Sequence, residues 1–131
     1  MIELVKKFGR ALDKDDFTTA AETLADDCIY DIGSEKLIGP AAICGSYEQN
    51  MIEGRKKLDK LEWGECKVEQ LSEKEFYIHF TDYLGHAGKE FTFRCKQKVT
   101  VGNELIIRIE HLEEPEERER LNTWYREVGL M

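Results

Sequence analysis

The side chains able to do chemistry are few and scattered along the chain. Asp31 lies in Cys28-Ile29-Tyr30-Asp31-Ile32, a short β-prone run stopped by Gly33-Ser34. His111 lies near the end of the last strand-like segment, and Gln97 is an isolated amide among apolar neighbours of the same parity. If Asp31 and His111 face one cavity they form an acid/base pair, with Gln97 orienting a substrate oxygen. Histidine titrates near neutrality, and a well-placed proton-transfer group gives about a hundredfold or more in rate. The competing role for His111 is structural, bonded to backbone or to a neighbouring glutamate. Tyr30 and Asp31 are adjacent on a strand, so one faces inward and the other outward, and the spacing leaves open which.

Other chemistries have less support. His79-x-x-Asp82-x-x-x-His86 has the residue types of a metal site, but on a strand His79 and Asp82 point to opposite faces and cannot share an ion. No metal and no other cofactor is expected. Ser46 lacks the Gly-x-Ser-x-Gly elbow and falls in a helix, and no glycine-rich phosphate loop is present. The cysteines Cys28, Cys44, Cys66 and Cys95 are widely spaced without a Cys-x-x-Cys pair, which reads as free, buried thiols of a reducing compartment.

At 131 residues the chain has the size of one domain, residues 1–131, with enough apolar content (41%) for a core without metals or disulfides. A net charge of −8 disfavours nucleic acid and anionic membrane surfaces, which need a clustered basic face. The longest apolar run is Ala41-Ala42-Ile43-Cys44, far short of a membrane span, and the start Met1-Ile2-Glu3 is acidic where a signal peptide is basic. The expected address is cytoplasmic.

The elements that position these residues follow from periodicity. Ile2, Val5, Phe8, Ala11 and Leu12 form a helical stripe, broken by Asp13-Lys14-Asp15-Asp16. Asp15 or Asp16 caps a second helix that buries Phe17, Ala20, Ala21 and Leu24. A third helix opens at Gly39-Pro40, where proline suits the first turn, and buries Ile43, Cys44, Tyr47, Met51 and Leu58. From Leu61 the period becomes two, giving strands at about 61–71, 75–84, 89–101 and 104–113, an antiparallel meander. Pro115 opens a final helix with the stripe Leu121, Trp124, Tyr125 and Val128. The fold class is therefore α+β: three N-terminal helices on a curved antiparallel sheet, with residues 115–131 as an appended helix.

Parity sorts the sheet into two faces. A three-residue loop at Val101-Gly102-Asn103 and a four-residue link at 85–88 keep the apolar positions continuous, pairing Phe80 with Phe93 and Cys95 with Ile109. The inner face then holds Phe76, Ile78, Phe80, Asp82, Phe91, Phe93, Cys95, Gln97, Ile107, Ile109 and His111. The outer face collects Tyr77, His79 and Tyr83, joined by Trp63 if strand 61–71 pairs through the Ser72-Glu73-Lys74 loop. Such an aromatic patch suggests a homodimer interface. Trp124 is expected either to dock the last helix or to form part of a lid across the pocket.

Phe8-Gly9-Arg10-Ala11-Leu12, the run from Leu24 to Asp31, Gly39-Pro40-Ala41-Ala42-Ile43 and the final strand from Leu105 to Leu112 together resemble the SnoaL-like, nuclear-transport-factor-2-like superfamily over about residues 2–113. The resemblance implies a cystatin-like roll shaped as a cone, closed at one end by core and open at the other as a pocket. It also implies a comparison with ketosteroid isomerases, in which Asp31 matches the base. The tyrosine of the oxyanion hole matches Phe8, which has no hydroxyl, and the protonated acid falls near Cys95–Gln97, which offers no carboxyl. That activity is therefore not expected. The expected site is a pocket for a small apolar or mixed-polarity molecule, lined by Tyr30, Tyr47, Phe80, Phe93, Gln97, Ile109 and Trp124. Asp31 and His111 would act there in isomerase, cyclase or hydrolase chemistry. The alternative is a non-catalytic ligand-binding or dimeric interaction module.

Overall fold

The computed structural model describes residues 1–131. In chain order the elements are α1 (Ile2–Asp13), α2 (Phe17–Glu22), β1 (Leu24–Asp31), β2 (Lys36–Ile38), α3 (Pro40–Lys57), β3 (Lys60–Trp63), β4 (Lys67–Gln70), β5 (Glu75–His86), β6 (Lys89–Gly102), β7 (Leu105–Leu112) and α4 (Pro115–Glu127). Seven strands form one sheet in the order β2-β1-β7-β6-β5-β3, with β4 also paired to β5. The α+β class and the curved sheet are as expected. One pairing differs: β1 runs parallel to β7, so the sheet is mixed rather than antiparallel throughout. No helix is long and apolar enough to cross a membrane.

The helices cover one face of the sheet. α1 brings Val5, Phe8, Ala11 and Leu12 against Phe76, Ile78, Val99, Val101, Ile106 and Ile109, and Ile43 and Cys44 of α3 complete this core. Asp16 caps α2, its carboxylate accepting from the Thr19 hydroxyl at 2.7 Å and from the Thr19 N–H at 3.1 Å, and these bonds, the hydroxyl's first, hold its pKa low. The second helix is shorter than its apolar stripe implied, because Leu24 already belongs to β1. A smaller apolar cluster (Leu58, Leu84, Leu121, Trp124 and Val128) docks α4 at the other end of the sheet.

The hairpin registers depart from expectation in a way that preserves parity. β5 and β6 meet through a two-residue Ala87-Gly88 turn, with φ of 52° and 79°. These left-handed angles match the twist of the strands better than a four-residue link. Phe80 therefore faces Cys95, and Asp82 faces Phe93. The β6–β7 turn is Asn103-Glu104, again left-handed at 52° and 65°, so the three-residue loop is absent. A bulge restores parity: Thr100 pairs with Arg108 but Val101 with Ile106, and Ile107 is the extra residue. Ile107 is consequently 40% exposed while Ile106 is fully buried, the reverse of the expected assignment. Gln97 now stands opposite His111, and Val99 opposite Ile109.

A second irregularity reassigns Trp63. The segment 61–71 is two strands, not one. β4 pairs Lys67 with His79, and continuing that register would set Trp63 beside Tyr83 on the outer face. Three residues, Gly64 to Cys66, instead separate Trp63 from Lys67 where β5 has two between His79 and Asp82, so Trp63 faces Asp82. One extra residue flips a side chain to the opposite face. Two contacts hold the irregular segment: the Gly64 N–H donates to the Thr81 carbonyl at 2.8 Å, and the Cys66 N–H donates to Asp13 Oδ2 at 2.9 Å. Gly64 admits this approach, because a Cβ there would sit 3.0 Å from the Tyr83 ring.

Candidate functional site

Between the helices and the inner face lies a cavity of about 200 Å³. Its aromatic wall is Phe17, Tyr30, Tyr47, Trp63 and Phe80, and its polar groups are Asp15, Asn50, Asp82, Gln97 and His111. Leu12, Met51 and Cys95 complete the lining.

At one end Tyr30, Tyr47 and Gln97 form a hydrogen-bonded trio. The Tyr47 hydroxyl donates to Gln97 Oε1 at 2.7 Å, and Gln97 Nε2 donates to the Tyr30 hydroxyl at 2.9 Å. The two rings stack with centroids 5.3 Å apart, and the Phe8 ring meets Tyr47 edge-on at 6.1 Å. Gln97 is 4% exposed and Tyr30 6%, so these bonds satisfy polar groups shut off from water. Burial raises the pKa of Tyr30 and raises that of Tyr47 well above the usual phenol value, which keeps both hydroxyls protonated at neutral pH. Whichever way the Gln97 amide is turned, its carbonyl takes only one of the two phenol protons in this pattern. The second phenol proton faces the partner hydroxyl, because Tyr30 and Tyr47 also interact with each other, and a ligand would gain it only by opening that contact.

Asp82 marks the other end. It lies four residues along β5 from Ile78, the cross-strand partner of Gln97, roughly 13 Å of extended backbone. Burial, helped by the negative charge of Asp13, pushes the Asp82 carboxyl up to about 7, and no cation opposes the shift. A carboxyl poised at neutral pH can accept a proton or donate one.

A clamp closes the wall beside Asp82. The Trp63 indole N–H donates to Asp15 Oδ1 at 2.7 Å, and Arg55 pairs with Asp15 Oδ2 at 2.9 Å. Asp15 has a φ of 56°, a left-handed backbone that is unfavourable for most side chains but tolerated by aspartate. The Arg55 guanidinium lies 5.8 Å from the Trp63 ring centroid.

Of the residues expected at the site, Tyr30, Tyr47, Phe80, Gln97 and His111 line this cavity. Asp31 does not. Tyr30 takes the inward position of β1, which turns Asp31 to the outer face, where Arg108 pairs with it at 2.8 Å and the Gly33 N–H donates to it at 2.9 Å. The Asp31–His111 acid/base pair is therefore not formed. Ile109 is fully buried in the main core beneath the cavity. Phe93 and Trp124 belong to the second cluster, where Trp124 stacks on Phe91 at 5.7 Å, so Trp124 forms no part of the cavity wall. Among the residues missed, Asp82 carried a usable signal, since its parity placed a lone carboxylate on an apolar face. Asp15 and Trp63 carried none, because their positions depend on a backbone irregularity.

Burial raises all four thiols, those of Cys28, Cys66 and Cys95 to about 12, so none is an effective nucleophile at neutral pH. His79 is turned outward to Glu69 at 2.9 Å, away from Asp82, and no group of three or more His, Cys, Asp or Glu side chains is placed to hold an ion.

No protein-family model and no curated protein matches the chain. Solved structures do. A candidate polyketide cyclase from Xanthomonas campestris superposes with a TM-score of 0.70 at 16% identity, covering 97% of this chain and 95% of that one. An LEH-like epoxide hydrolase from M. tuberculosis gives 0.63 at 18% identity, covering 91% and 81%. A nuclear-transport-factor-2-like protein from Cytophaga hutchinsonii gives 0.62 at 14% identity, covering 88% and 91%. At these identities the likeness is one of fold, and the chain has the SnoaL-like, nuclear-transport-factor-2-like fold.

Proposed function

We propose that the cavity is an active site for proton transfer on a small organic molecule of mixed polarity, with Asp82 as the acid/base. The observation that carries this reading is a half-buried, unpaired carboxyl raised to about 7, facing the same small cavity as a phenol–amide–phenol trio. A substrate carbonyl would accept a hydrogen bond from a phenol hydroxyl of the trio, which stabilises the negative charge that reaches the carbonyl by conjugation when a proton leaves a carbon beside Asp82 at the other end of the cavity. Asp82 accepts that proton and returns it elsewhere on the substrate. The enolate formed can be reprotonated, giving isomerisation, or can attack a second carbonyl, giving ring closure. Phe17, Trp63 and Phe80 supply flat apolar contacts, and the lining has no lysine or arginine to attract an anion.

Cyclase chemistry fits this arrangement and agrees with the name of the X. campestris neighbour. His111, opposite Gln97 on β7, is the second proton-transfer group on the wall. The test is exchange of the α-protons of small aromatic ketones and β-keto esters with deuterium, followed by NMR. Catalysed exchange is expected in the wild type, lost in Asp82→Asn and retained in Asp31→Asn. Equal exchange in wild type and Asp82→Asn would leave the cavity as a non-catalytic ligand site.

A further inference from the structure

The outer face of the sheet carries a feature that the cavity does not use. On it Lys67 of β4, His79 of β5 and Lys96 of β6 stand directly opposite one another in a single cross-strand row. Arg94 and Thr81 form the adjacent row. In a chain of net charge −8, acidic partners for these positions are plentiful, yet the row is basic.

Elsewhere on this face the cations are matched: Lys98 with Glu75 at 2.7 Å, and Arg108 with Asp31 at 2.8 Å and Glu110 at 3.0 Å. His79 has Glu69. Lys67, Arg94 and Lys96 have no such pair; Lys96 lies over the Tyr77 ring at 4.8 Å. The aromatic patch expected as a dimer surface is thus divided, since Trp63 is inside and Tyr77 lies beneath a lysine.

Lys67, His79, Thr81, Arg94 and Lys96 line a groove of about 520 Å³ together with the carboxylates Glu65 and Glu114. An adjoining cleft of about 250 Å³ shares Glu65 and Lys67 with it and adds Lys6 and Arg10 of α1. The groove has the dimensions of a small-molecule site rather than of a protein interface. Three cations without carboxylate partners, Lys67 on β4 and Arg94 and Lys96 on β6, flank β5 and its Thr81 hydroxyl, and offer N–H and O–H donors of the kind that bind phosphate oxygens.

We infer that this groove binds a small phosphate-bearing ligand, of the pyrophosphate or phosphate-ester class, through Lys67, Arg94 and Lys96, with Thr81 as a further donor. The site lies across the sheet from the cavity and does not depend on the function proposed for it.

Calorimetric titration of the whole chain with inorganic pyrophosphate tests the assignment. Saturable binding is expected, weakened by about tenfold for each cation removed and by added salt. In Lys67→Gln/Lys96→Gln the melting temperature without ligand is expected to hold or rise, while the rise induced by pyrophosphate disappears. That combination separates a ligand site from a structural one. Vesicles carrying a phosphomonoester lipid form a second arm. Vesicle binding displaced by pyrophosphate identifies a lipid headgroup as the source, and pyrophosphate binding without vesicle binding identifies a soluble phosphate. Absence of saturable pyrophosphate binding overturns the inference, as does binding unchanged in the double variant. A dimer that the double variant dissociates, in a protein that does not bind pyrophosphate, also overturns it by giving the face to a second copy.

Discussion

Trp63 stands directly across from Asp82, and the pairing exists only because one extra residue is accommodated between Gly64 and Cys66. The same shift that turns Trp63 inward brings its indole N–H to Asp15 and closes the cavity wall beside the one carboxyl poised near neutrality. The candidate chemistry therefore depends on a local break in strand register.

Asp82 should destabilise the protein it serves. Its folded-state pKa, about 7, lies above the ordinary 3.8, so between those values the folded form holds more protons than the unfolded one. Stability then falls as pH rises from about 4 to about 7, and is flat above that range. Asp82→Asn removes this loss, and urea unfolding near pH 8 should show the variant more stable by roughly 2–4 kcal/mol, discounted for partial solvent access. A variant no more stable at pH 8 than at pH 5 relative to wild type would refute the burial argument.

The phenol–amide–phenol trio should separate binding from turnover. Tyr30→Phe leaves one Gln97 N–H without its partner, at a stability cost of about 1–3 kcal/mol. If the trio supplies the donor to a developing oxyanion, kcat should fall by about 10²-fold or more in Tyr30→Phe/Tyr47→Phe, with a smaller change in KM. A change confined to KM would reduce the trio to a binding role.

On the outer face, Asp31→Asn should leave turnover intact. Its ion pair with Arg108 is partly exposed, and such pairs are worth about 0–1 kcal/mol. Steady-state rates within twofold of wild type are expected; a large loss would restore Asp31 to the mechanism.

Trp124 should matter for stability and not for the cavity. It is 5% exposed, and its indole N–H is buried without an acceptor. Trp124→Ala should cost about 3–5 kcal/mol. Trp124→Phe should cost much less, because it keeps most of the packing on Phe91 and deletes the unsatisfied donor. Ligand affinity measured on either folded variant should match wild type, and a marked loss would return α4 to the role of a lid.

Period and parity made much of this molecule legible. The helical stripes of α1 and α3, the proline starts of α3 and α4, and the inward set Phe76, Ile78, Phe80, Asp82, Gln97 and His111 all follow from spacing of three to four residues or of two. What escaped were the places where the backbone gains a residue. The bulge at Ile107 and the break at Gly64–Cys66 leave residue types unchanged while reversing which way they point, so no periodic reading detects them. Tyr30 and Asp31 were undecidable for a related reason: a strand with acids and apolar residues on both parities takes its facing from its neighbours. Here Tyr30 meets Gln97 and Asp31 meets Arg108. Asp82 was legible as an inward carboxylate, but its elevated pKa needed the desolvation of the assembled cavity.

The most direct test is a carbon-detected NMR titration of the aspartate carboxyls. One carboxyl, absent from Asp82→Asn, should titrate near pH 7 and shift when a ligand fills the cavity. If the Asp82 carboxyl instead titrates near the ordinary aspartate value, it is not the neutral-pH acid/base of this site, and the proposed chemistry fails with it.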